Sequence, residues 1–496
     1  MRTVLECALG RWDDGRLGRG PALALSASTA LMVAGCGSGG GTPAAPTPPP
    51  PPAMKAVTVV LSSTANDQLA EFGIGIQGMS LTSASGKRVS VLSQQGLQTE
   101  FIHLNGAAEP LITAMIPEDV YTAATVTVGS ASFTCIALQP SGGLIISEFE
   151  YGQTPTSDVT VTLPAPIFVS GGTAGLALDM LVSPSASWTS CNAGASLPYA
   201  ITPTFTLSAF GSSSPAAASH NAAVAGLDGQ VTALDSDSGG FQITLPASTS
   251  LHVTLGSATV WQGISSLTEL HQGMFVDLDG ALQSDGSVAA SRVAVADPSA
   301  VDVQRGPLLL VASAVPILDM YPRYAQGKDL RVNYEQFSFN GSRFQVSGQL
   351  SNLESLPFTP TFGADNMVPG QTVYVSTPAF ADTGSYNAVA NTITLVPQTV
   401  NGTVTGVGLS GDFSVYTVSL ATYDLLSLLA TQPGHATLLI SPGVIEVYAD
   451  TNTVMLTSSA PAPGDTLRFD GLVFNDHGTL RMDCARISPG VTELSQ

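Results

Sequence analysis

Three aspartates near a pair of glycines are the residues of this chain whose type and spacing best suit ion binding. Asp277, Asp279 and Asp285 supply carboxylate oxygens, which are the ligands that Ca²⁺ prefers. Gly280 and Gly286 allow the tight turns that a cation loop needs. These three carboxylates are therefore the candidate calcium ligands.

Other arrangements that support catalysis are missing from the sequence. The chain has no G-x-S-x-G, H-E-x-x-H or S-x-x-K segment. Its six histidines have no partner at metal-ligand spacing and are interpreted as surface or packing residues. We expect a protein that is not an enzyme and uses no cofactor. A hydrolase with a site between domains and a calcium-dependent adhesion module are the alternatives.

A G-x-G-x-x-G segment, Gly73-Ile74-Gly75-Ile76-Gln77-Gly78, is present in the first part of the chain. A dinucleotide site requires this pattern between a strand and a helix, whose N-terminus then faces the pyrophosphate. The residues after it, Met79 to Thr82, still alternate between apolar and polar. The segment is therefore predicted to be a strand.

Cysteine chemistry is limited to a few positions. Cys135 and Cys191 fall in the same predicted domain, and we pair them as a disulfide. Cys484 is then left over and is predicted to be buried in a strand.

Cys36 has a different setting, at the end of a short apolar stretch behind an arginine-containing start. The segment Val33-Ala34-Gly35-Cys36 resembles the lipobox of bacterial lipoproteins. This resemblance implies that residues 1–35 are a signal peptide and that Cys36 carries the lipid. The apolar part spans only about twelve residues, which is too short for a membrane-spanning helix. The same resemblance implies the outer membrane, because Gly37 follows the cysteine and lipoproteins of enteric bacteria that stay in the inner membrane have Asp at this position.

The composition agrees with an exported protein and excludes one class of partner. The Gly- and Pro-rich residues 37–53 are typical of a spacer. With 16 basic and 37 acidic residues, the chain has a net charge of −21. Phosphate backbones would repel such a chain, so nucleic acid is not an expected partner. The expected partners are the membrane, through the lipid, and an envelope protein or a glycan.

Short runs of alternating apolar and polar residues fill the region from Lys55 to about Ala209. This period predicts antiparallel strands with one buried face and thus a β-sandwich. The stretch Ile116-Pro117-Glu118-Asp119-Val120-Tyr121-Thr122 resembles the entry strand of prealbumin-like sandwiches. The whole region is similar to a domain-of-unknown-function family found at the start of bacterial lipoproteins.

An internal repeat comes after a Ser/Ala-rich linker. Segments that begin at Gly273, Gly370 and Gly464 read Gly-x-x-apolar-x-apolar, and a hairpin and a partner strand come after each. The segments at Phe241, Phe344 and Phe413 are taken as a further equivalent set. Gly229 to Ala233 matches Gly402 to Gly406. The repeat predicts three small barrels of the oligonucleotide/oligosaccharide-binding (OB) type and resembles another uncharacterised module of exported bacterial proteins.

Two segments of the repeat region remain to be placed. Leu308 to Leu318 is interpreted as a buried strand between modules, which leaves the first strand of the middle barrel unassigned. Thr422 to Leu429 is the best candidate for a short helix.

Together these features predict an all-β, multi-domain protein: a prealbumin/Ig-like sandwich and then three OB-like barrels. The predicted divisions are the signal peptide (1–35), the lipidated tether (36–54), the sandwich (55–209), a linker (210–224) and three barrels (225–300, 301–400 and 401–490). We expect a non-catalytic binding or structural protein, arranged as an elongated array that is anchored to the outer membrane at Cys36.

The anchor prediction has a direct test. The Cys36→Ala variant should leave the folded domains intact but move the protein from the membrane fraction to the soluble fraction, because the lipid provides the attachment. Cell fractionation measures the distribution, and circular dichroism checks the fold. A variant that stays with the membrane would contradict the prediction.

Overall fold

The computed structural model describes most of the chain after residue 51. The described residues are 52–64, 69–104, 108–138, 144–151, 156–171, 173–188, 199–211, 223–235, 239–245, 249–283, 285–325, 334–348, 353–379, 388–421, 424–430 and 443–490. The predicted signal peptide and lipobox, Cys36, Cys191 and most of the predicted tether and linker lie outside them. Within them, no helix has the length and hydropathy that crossing a membrane requires.

The first part of the described chain is built from strands in two main sheets. Its strands are β1 (Met54–Thr64), β2 (Leu69–Ser83), β3 (Arg88–Glu100), β4 (Ala108–Pro117), β5 (Asp119–Leu138), β6 (Leu144–Tyr151), β7 (Ser157–Val161), β8 (Ile167–Val169), β9 (Thr173–Leu181), β10 (Ala186–Trp188), β11 (Tyr199–Ile201) and β12 (Phe205–Gly211). One sheet has the order β12-β9-β1-β4. The other has the order β3-β2-β5-β6, and β7 and β8 also pair with β5. A four-residue helix, α1 (Val182–Ser185), precedes the small pair β10-β11.

The two sheets share one hydrophobic core, which makes this region a sandwich. Val59 from the first sheet and Phe72 from the second belong to the same buried cluster. The Tyr121 hydroxyl is buried and donates a hydrogen bond to the Pro117 carbonyl oxygen at 2.8 Å, as in the tyrosine corner of Ig-like sandwiches. Gly73 to Gly78 lies within β2, as predicted.

Barrel 1 comes after the sandwich. Its strands are β13 (Ala223–Asp235), β14 (Gly240–Thr244), β15 (Ser250–Gln262), β16 (Phe275–Leu282) and β17 (Val288–Ala294). They close in the order β13-β14-β15-β17-β16, and β15 runs parallel to β17. This is a five-stranded barrel of the predicted OB type. A short 3₁₀ turn, Leu267–Glu269, precedes its fourth strand.

Barrel 2 has the same order with interrupted strands. Its strands are β18 (Asp302–Ala312), β19 (Ile317–Met320), β20 (Tyr324–Ala325), β21 (Glu335–Ser338), β22 (Arg343–Val346), β23 (Thr372–Thr377), β24 (Ala388–Val389) and β25 (Thr392–Leu395). The third strand consists of β21 and β22, and the fifth consists of β24 and β25, which run parallel to them. A 3₁₀ turn, Leu353–Ser355, lies in the connection between β22 and β23.

Barrel 3 completes the described chain. Its strands are β26 (Gln398–Ser410), β27 (Phe413–Leu420), β28 (Val444–Ala449), β29 (Val454–Met455), β30 (Thr466–Asp476) and β31 (Thr479–Pro489). Pairing of β28 with β31 closes the ring. The helix α2 (Leu425–Ala430) confirms the helix predicted near this position, of which residues 422–423 lie outside the description. The all-β prediction is therefore confirmed, whereas the exact domain boundaries stay predictions.

The predicted repeat glycines occupy equivalent places in all three barrels. Gly273, Gly370 and Gly464 precede the fourth strand with φ angles of 93°, 91° and 98°, a region that favours glycine. The N–H group of each donates a hydrogen bond to the first strand of its own barrel, at 2.7, 2.7 and 2.8 Å. The accepting carbonyl groups belong to Val231, Leu308 and Val404.

The first strands themselves carry a second set of equivalent glycines. Gly229, Gly306 and Gly402 each lie opposite the residue three positions after a repeat glycine. At these points the first strand passes from pairing with the fourth strand to pairing with the second. A side chain would not fit at Gly402, since its Cβ would lie 2.5 Å from the Ser419 carbonyl oxygen of the backbone.

Two sequence assignments in the middle barrel are wrong. Leu308 to Leu318 is not a strand between modules but the hairpin of β18 and β19 that opens barrel 2. Phe344 lies in the third strand, β22, whereas Phe241 and Phe413 lie in second strands. Both errors arise because the second strand of barrel 2, Ile317–Met320, is short and lacks the Phe-x-apolar pattern.

The expectation of an elongated array is also wrong for the described residues. Pro52–Gln496 forms one compact unit. Ala70 of the sandwich, Leu309 and Tyr321 of barrel 2, and Leu425 and Leu429 of α2 share one buried cluster. The modules therefore pack against each other. Apolar side chains that lie outside the core of one module are buried against a neighbouring module.

A matched pair of substitutions tests the glycine motif. Gly464→Ala should destabilise the protein by about 1–2 kcal/mol, the cost of a left-handed backbone for alanine, since no atom lies within 4 Å of the new Cβ. Gly370→Ala should cost more, because its Cβ would also lie 2.7 Å from Leu426 Cα. Urea unfolding measures both values. Equal losses in the two variants would contradict the role of the Leu426 contact.

Candidate functional site

A cleft of about 220 Å³ lies between barrel 1 and barrel 2. The middle of β13 and the ends of β15, β16 and β17 form one wall, and β18, β22, β23 and β25 contribute to the other. Most of the lining surface is apolar, while about half of the lining residues carry polar side chains that could orient a ligand. Gln262, Phe275, Gln345, Ser347, Tyr374 and Thr394 contribute to it.

Two carboxylates face each other on the wall that barrel 1 provides. Asp228 and Asp277 are direct cross-strand partners on β13 and β16, and both line the cleft. Like charges at such positions repel, so each needs a cation. Arg305 donates a hydrogen bond to Asp228 Oδ2 at 3.1 Å, and Arg292 is bound to Asp277.

Arg305 reaches Asp228 from the first strand of barrel 2. Its guanidinium lies 5.7 Å from the centre of the Tyr374 ring, a favourable cation–π geometry, and also donates to the Pro397 carbonyl oxygen at 3.4 Å. The charges of Asp228, Asp277 and Asp470 raise the pKa of Arg305 although burial opposes this. It is therefore a permanent cation at the meeting point of the barrels.

The Asp228 carboxyl group has an unusual environment. Burial raises its pKa to about 7, and the nearby charges of Asp277 and Glu109 add to this, whereas Arg305 acts in the opposite direction. Its Oδ1 atom is buried and has no hydrogen-bond partner among the described residues. On the opposite wall, the buried Thr394 Oγ1 atom likewise has no partner within the described chain.

Asp297, just after β17, connects the two walls. It accepts hydrogen bonds from Ser376 Oγ at 2.7 Å and from Asn391 Nδ2 at 2.5 Å, both in barrel 2, and from Ser299 Oγ at 2.7 Å. Although burial would raise its pKa, these hydrogen bonds lower it below the ordinary value. The carboxylate is therefore ionised at neutral pH and holds the cleft in one geometry.

The predicted calcium ligands have other partners. Arg292 Nε donates to Asp279 Oδ2 at 2.6 Å and the same guanidinium binds Asp277, while Asp285 accepts from Ser287 Oγ at 2.7 Å in a hairpin turn. Among the described residues, no group of three His, Cys, Asp or Glu side chains is placed to hold a metal ion. The structure therefore does not bring these aspartates together as a site.

Of the cysteines, Cys135 and Cys484 lie within the described residues. Cys135 is disulfide-bonded, but its predicted partner Cys191 lies outside the described residues, so the pairing stays a prediction. Cys484 is free and buried in β31, as predicted, and burial raises the pKa of its thiol.

Sequence reasoning named Asp277 only as a calcium ligand and missed Asp228 and its partner Arg305, although the repeat contained a signal for both. The residues before the first-strand glycines are Asp228, Arg305 and Asn401, and they lie opposite Asp277, Tyr374 and Arg468 of the fourth strands. Aligning these glycines places a polar residue at a buried strand position in every barrel. Such a repeated exception to apolar patterning indicates a specific contact.

His103 is a second residue that sequence reasoning misjudged, since it is more than a packing residue. Its ring nitrogens lie 3.1 Å from Glu100 Oε2 and 3.0 Å from Glu109 Oε1 in the sandwich. Burial alone would lower the pKa of His103, but the two glutamates raise it to about 10. The ring is therefore a buried cation between two carboxylates.

Comparison with known proteins locates one family in barrel 1. Residues 228–294 match the model of a domain of unknown function (DUF5666). No curated protein matches the chain. A solved structure described as drosophila Unr CSD456 is 12% identical, and the match covers 54% of this chain and 97% of that one. Its TM-score of 0.12 supports no inference about function. The match to DUF5666 thus concerns barrel 1 alone.

The His103 cluster predicts a definite pH dependence. The pKa rises from about 6.5 in the unfolded chain to about 10 in the folded one. The resulting stability is fully present below pH ~6.5 and is lost as the pH rises towards 10. His103→Gln should therefore destabilise the protein by about 3–5 kcal/mol at pH 6, and by less at pH 9.5.

Urea unfolding at the two pH values measures this difference. His271→Gln, at an exposed histidine, is the control and should change little at either pH. A loss for His103→Gln that does not depend on pH would show that the ring is not the buried cation.

Proposed function

We propose that this chain is a lipid-anchored protein of the bacterial outer membrane that binds a small ligand without covalent chemistry. The lipobox at Val33 to Cys36 and the spacer after it support the anchor. The cleft between barrel 1 and barrel 2 supports the binding role. Binding of this kind involves no catalytic step, as we expect from the missing catalytic motifs.

The observation that carries the proposal is the buried, unpartnered Oδ1 atom of Asp228, a residue that lines the cleft. A buried polar atom that lacks a hydrogen bond destabilises a fold by about 1–3 kcal/mol. Native proteins satisfy nearly all such atoms, and the exceptions often have a function. Here no described protein group satisfies Oδ1. A ligand that donates a hydrogen bond to this atom would recover the lost energy on binding.

The rigidity of the two walls also supports binding. Asp228 and Arg305 join the barrels on one side of the cleft, and Asp297 with Ser376 and Asn391 joins them on the other. A site whose walls are already fixed loses little conformational entropy when a ligand enters. The ligand therefore meets a largely pre-formed cleft.

Native mass spectrometry of the full-length lipoprotein in detergent tests the proposal, after incubation with the low-mass fraction of an envelope extract. We expect a bound species on the unchanged protein. Ala296→Phe should remove it, because the Ala296 side chain lines the cleft and a benzyl group would fill the space.

Ala84→Phe makes the same change in an exposed turn of the sandwich and should retain the bound species. If the unchanged protein retained nothing, or if Ala296→Phe bound as much as the control, the cleft would not be the site.

A further inference from the structure

We propose that the cleft accepts a neutral, hydroxylated ring of the size of a monosaccharide, such as the end unit of an envelope glycan. This inference rests on the proposed function and adds the chemical class of the ligand. Three properties of the cleft support it: its charge balance, its size and the arrangement of its walls.

The charge balance favours a neutral ligand. The two facing carboxylates are already bound to guanidinium groups, Asp228 to Arg305 and Asp277 to Arg292. Asp297 has its oxygens engaged by Ser376 and Asn391. Each of these three carboxylates already has a counter-charge or hydrogen bonds, so none of them favours the binding of a cation. An anion would likewise find Arg292 and Arg305 already bound to carboxylates, and it would approach a chain of net charge −21.

The size of the cleft suits a single ring. One bound water needs roughly 10–15 Å³ of cavity volume. About 220 Å³ therefore holds on the order of fifteen water-sized groups. A pyranose with one substituent has about this number of non-hydrogen atoms, whereas a longer glycan would have to extend outside the cleft.

The walls differ in chemistry in the way that a sugar ring requires. Phe275, Val303, Tyr374 and Val396 form one buried apolar cluster at the cleft, which suits the C–H face of a pyranose. Asp228 Oδ1 can accept a hydrogen bond from a ring hydroxyl, and Thr394 Oγ1 can both donate and accept. Neither of these atoms has a partner among the residues that the structure describes.

Thr394 gives a test that does not depend on damaging the fold. Replacing Thr394 by Val removes a hydroxyl that no described group satisfies and keeps the shape of the side chain. The melting temperature should stay the same or rise, because an unsatisfied buried hydroxyl destabilises the fold. Sugar binding should weaken by about tenfold, because the ligand loses one hydrogen bond.

Thr99→Val is the matched control. Thr99 Oγ1 is also buried without a partner in the described chain, but Thr99 lies in β3 of the sandwich, away from the cleft. This variant should show the same thermal behaviour and unchanged sugar binding. Equal weakening in both variants, or none in Thr394→Val, would overturn the assignment of Thr394 as a ligand contact.

Four probes with the same pyranose ring test the ligand class by calorimetric titration of the full-length protein. Glucose and N-acetylglucosamine are neutral, glucosamine carries an ammonium group and glucuronate carries a carboxylate. We expect the neutral sugars to bind most tightly and glucuronate most weakly. Tightest binding of either charged sugar, or no binding of a neutral one, would overturn the inference.

Failure of this inference is distinguishable from failure of the proposed function. If no sugar binds but the mass-spectrometric species persists and is removed by Ala296→Phe, the cleft binds a ligand of another class. If that species is also absent, both proposals fail.

Discussion

Arg305 carries a positive charge into the place where the three barrels meet, and the surrounding structure has to neutralise it. A buried guanidinium is tolerated only when its charge is matched and its donors are used. Asp228 from barrel 1, the Tyr374 ring from barrel 2 and the Pro397 carbonyl before barrel 3 provide these contacts. Loss of Asp228 would leave the guanidinium without its bound carboxylate, so this single side chain constrains the relative placement of barrels 1 and 2.

The three barrels can share one frame because backbone groups alone define it. The repeat glycines at 273, 370 and 464 make equivalent hydrogen bonds to the first strands, and their positive φ angles are independent of any side chain. Side chains around this frame are therefore free to differ. The residue before each first-strand glycine shows the result, since it is acidic in barrel 1, basic in barrel 2 and an amide in barrel 3.

Features that depend on local periodicity could be predicted from the sequence, whereas features that depend on packing could not. Alternation predicted the strands, and the glycine repeat predicted the barrels, because both depend on neighbouring residues. The second strand of barrel 2, Ile317–Met320, was missed because four residues carry too little pattern. The pairing of Arg305 with Asp228 joins residues that are 77 positions apart in the chain, and no local pattern records such a contact. Glu100 and Glu109 are near His103 in sequence, but the burial of all three side chains depends on packing, which the sequence pattern does not show.

Barrels 1 and 2 carry opposite charges at equivalent positions, and this limits how such a chain can be assembled from duplicated units. Two identical copies of barrel 1 would place an aspartate where Arg305 now stands, and the buried carboxylates would repel each other. Packing of these units therefore requires that the copies diverge in a complementary way. The complementary charges of Asp228 and Arg305 therefore favour contact between barrel 1 and barrel 2 over contact between two copies of barrel 1.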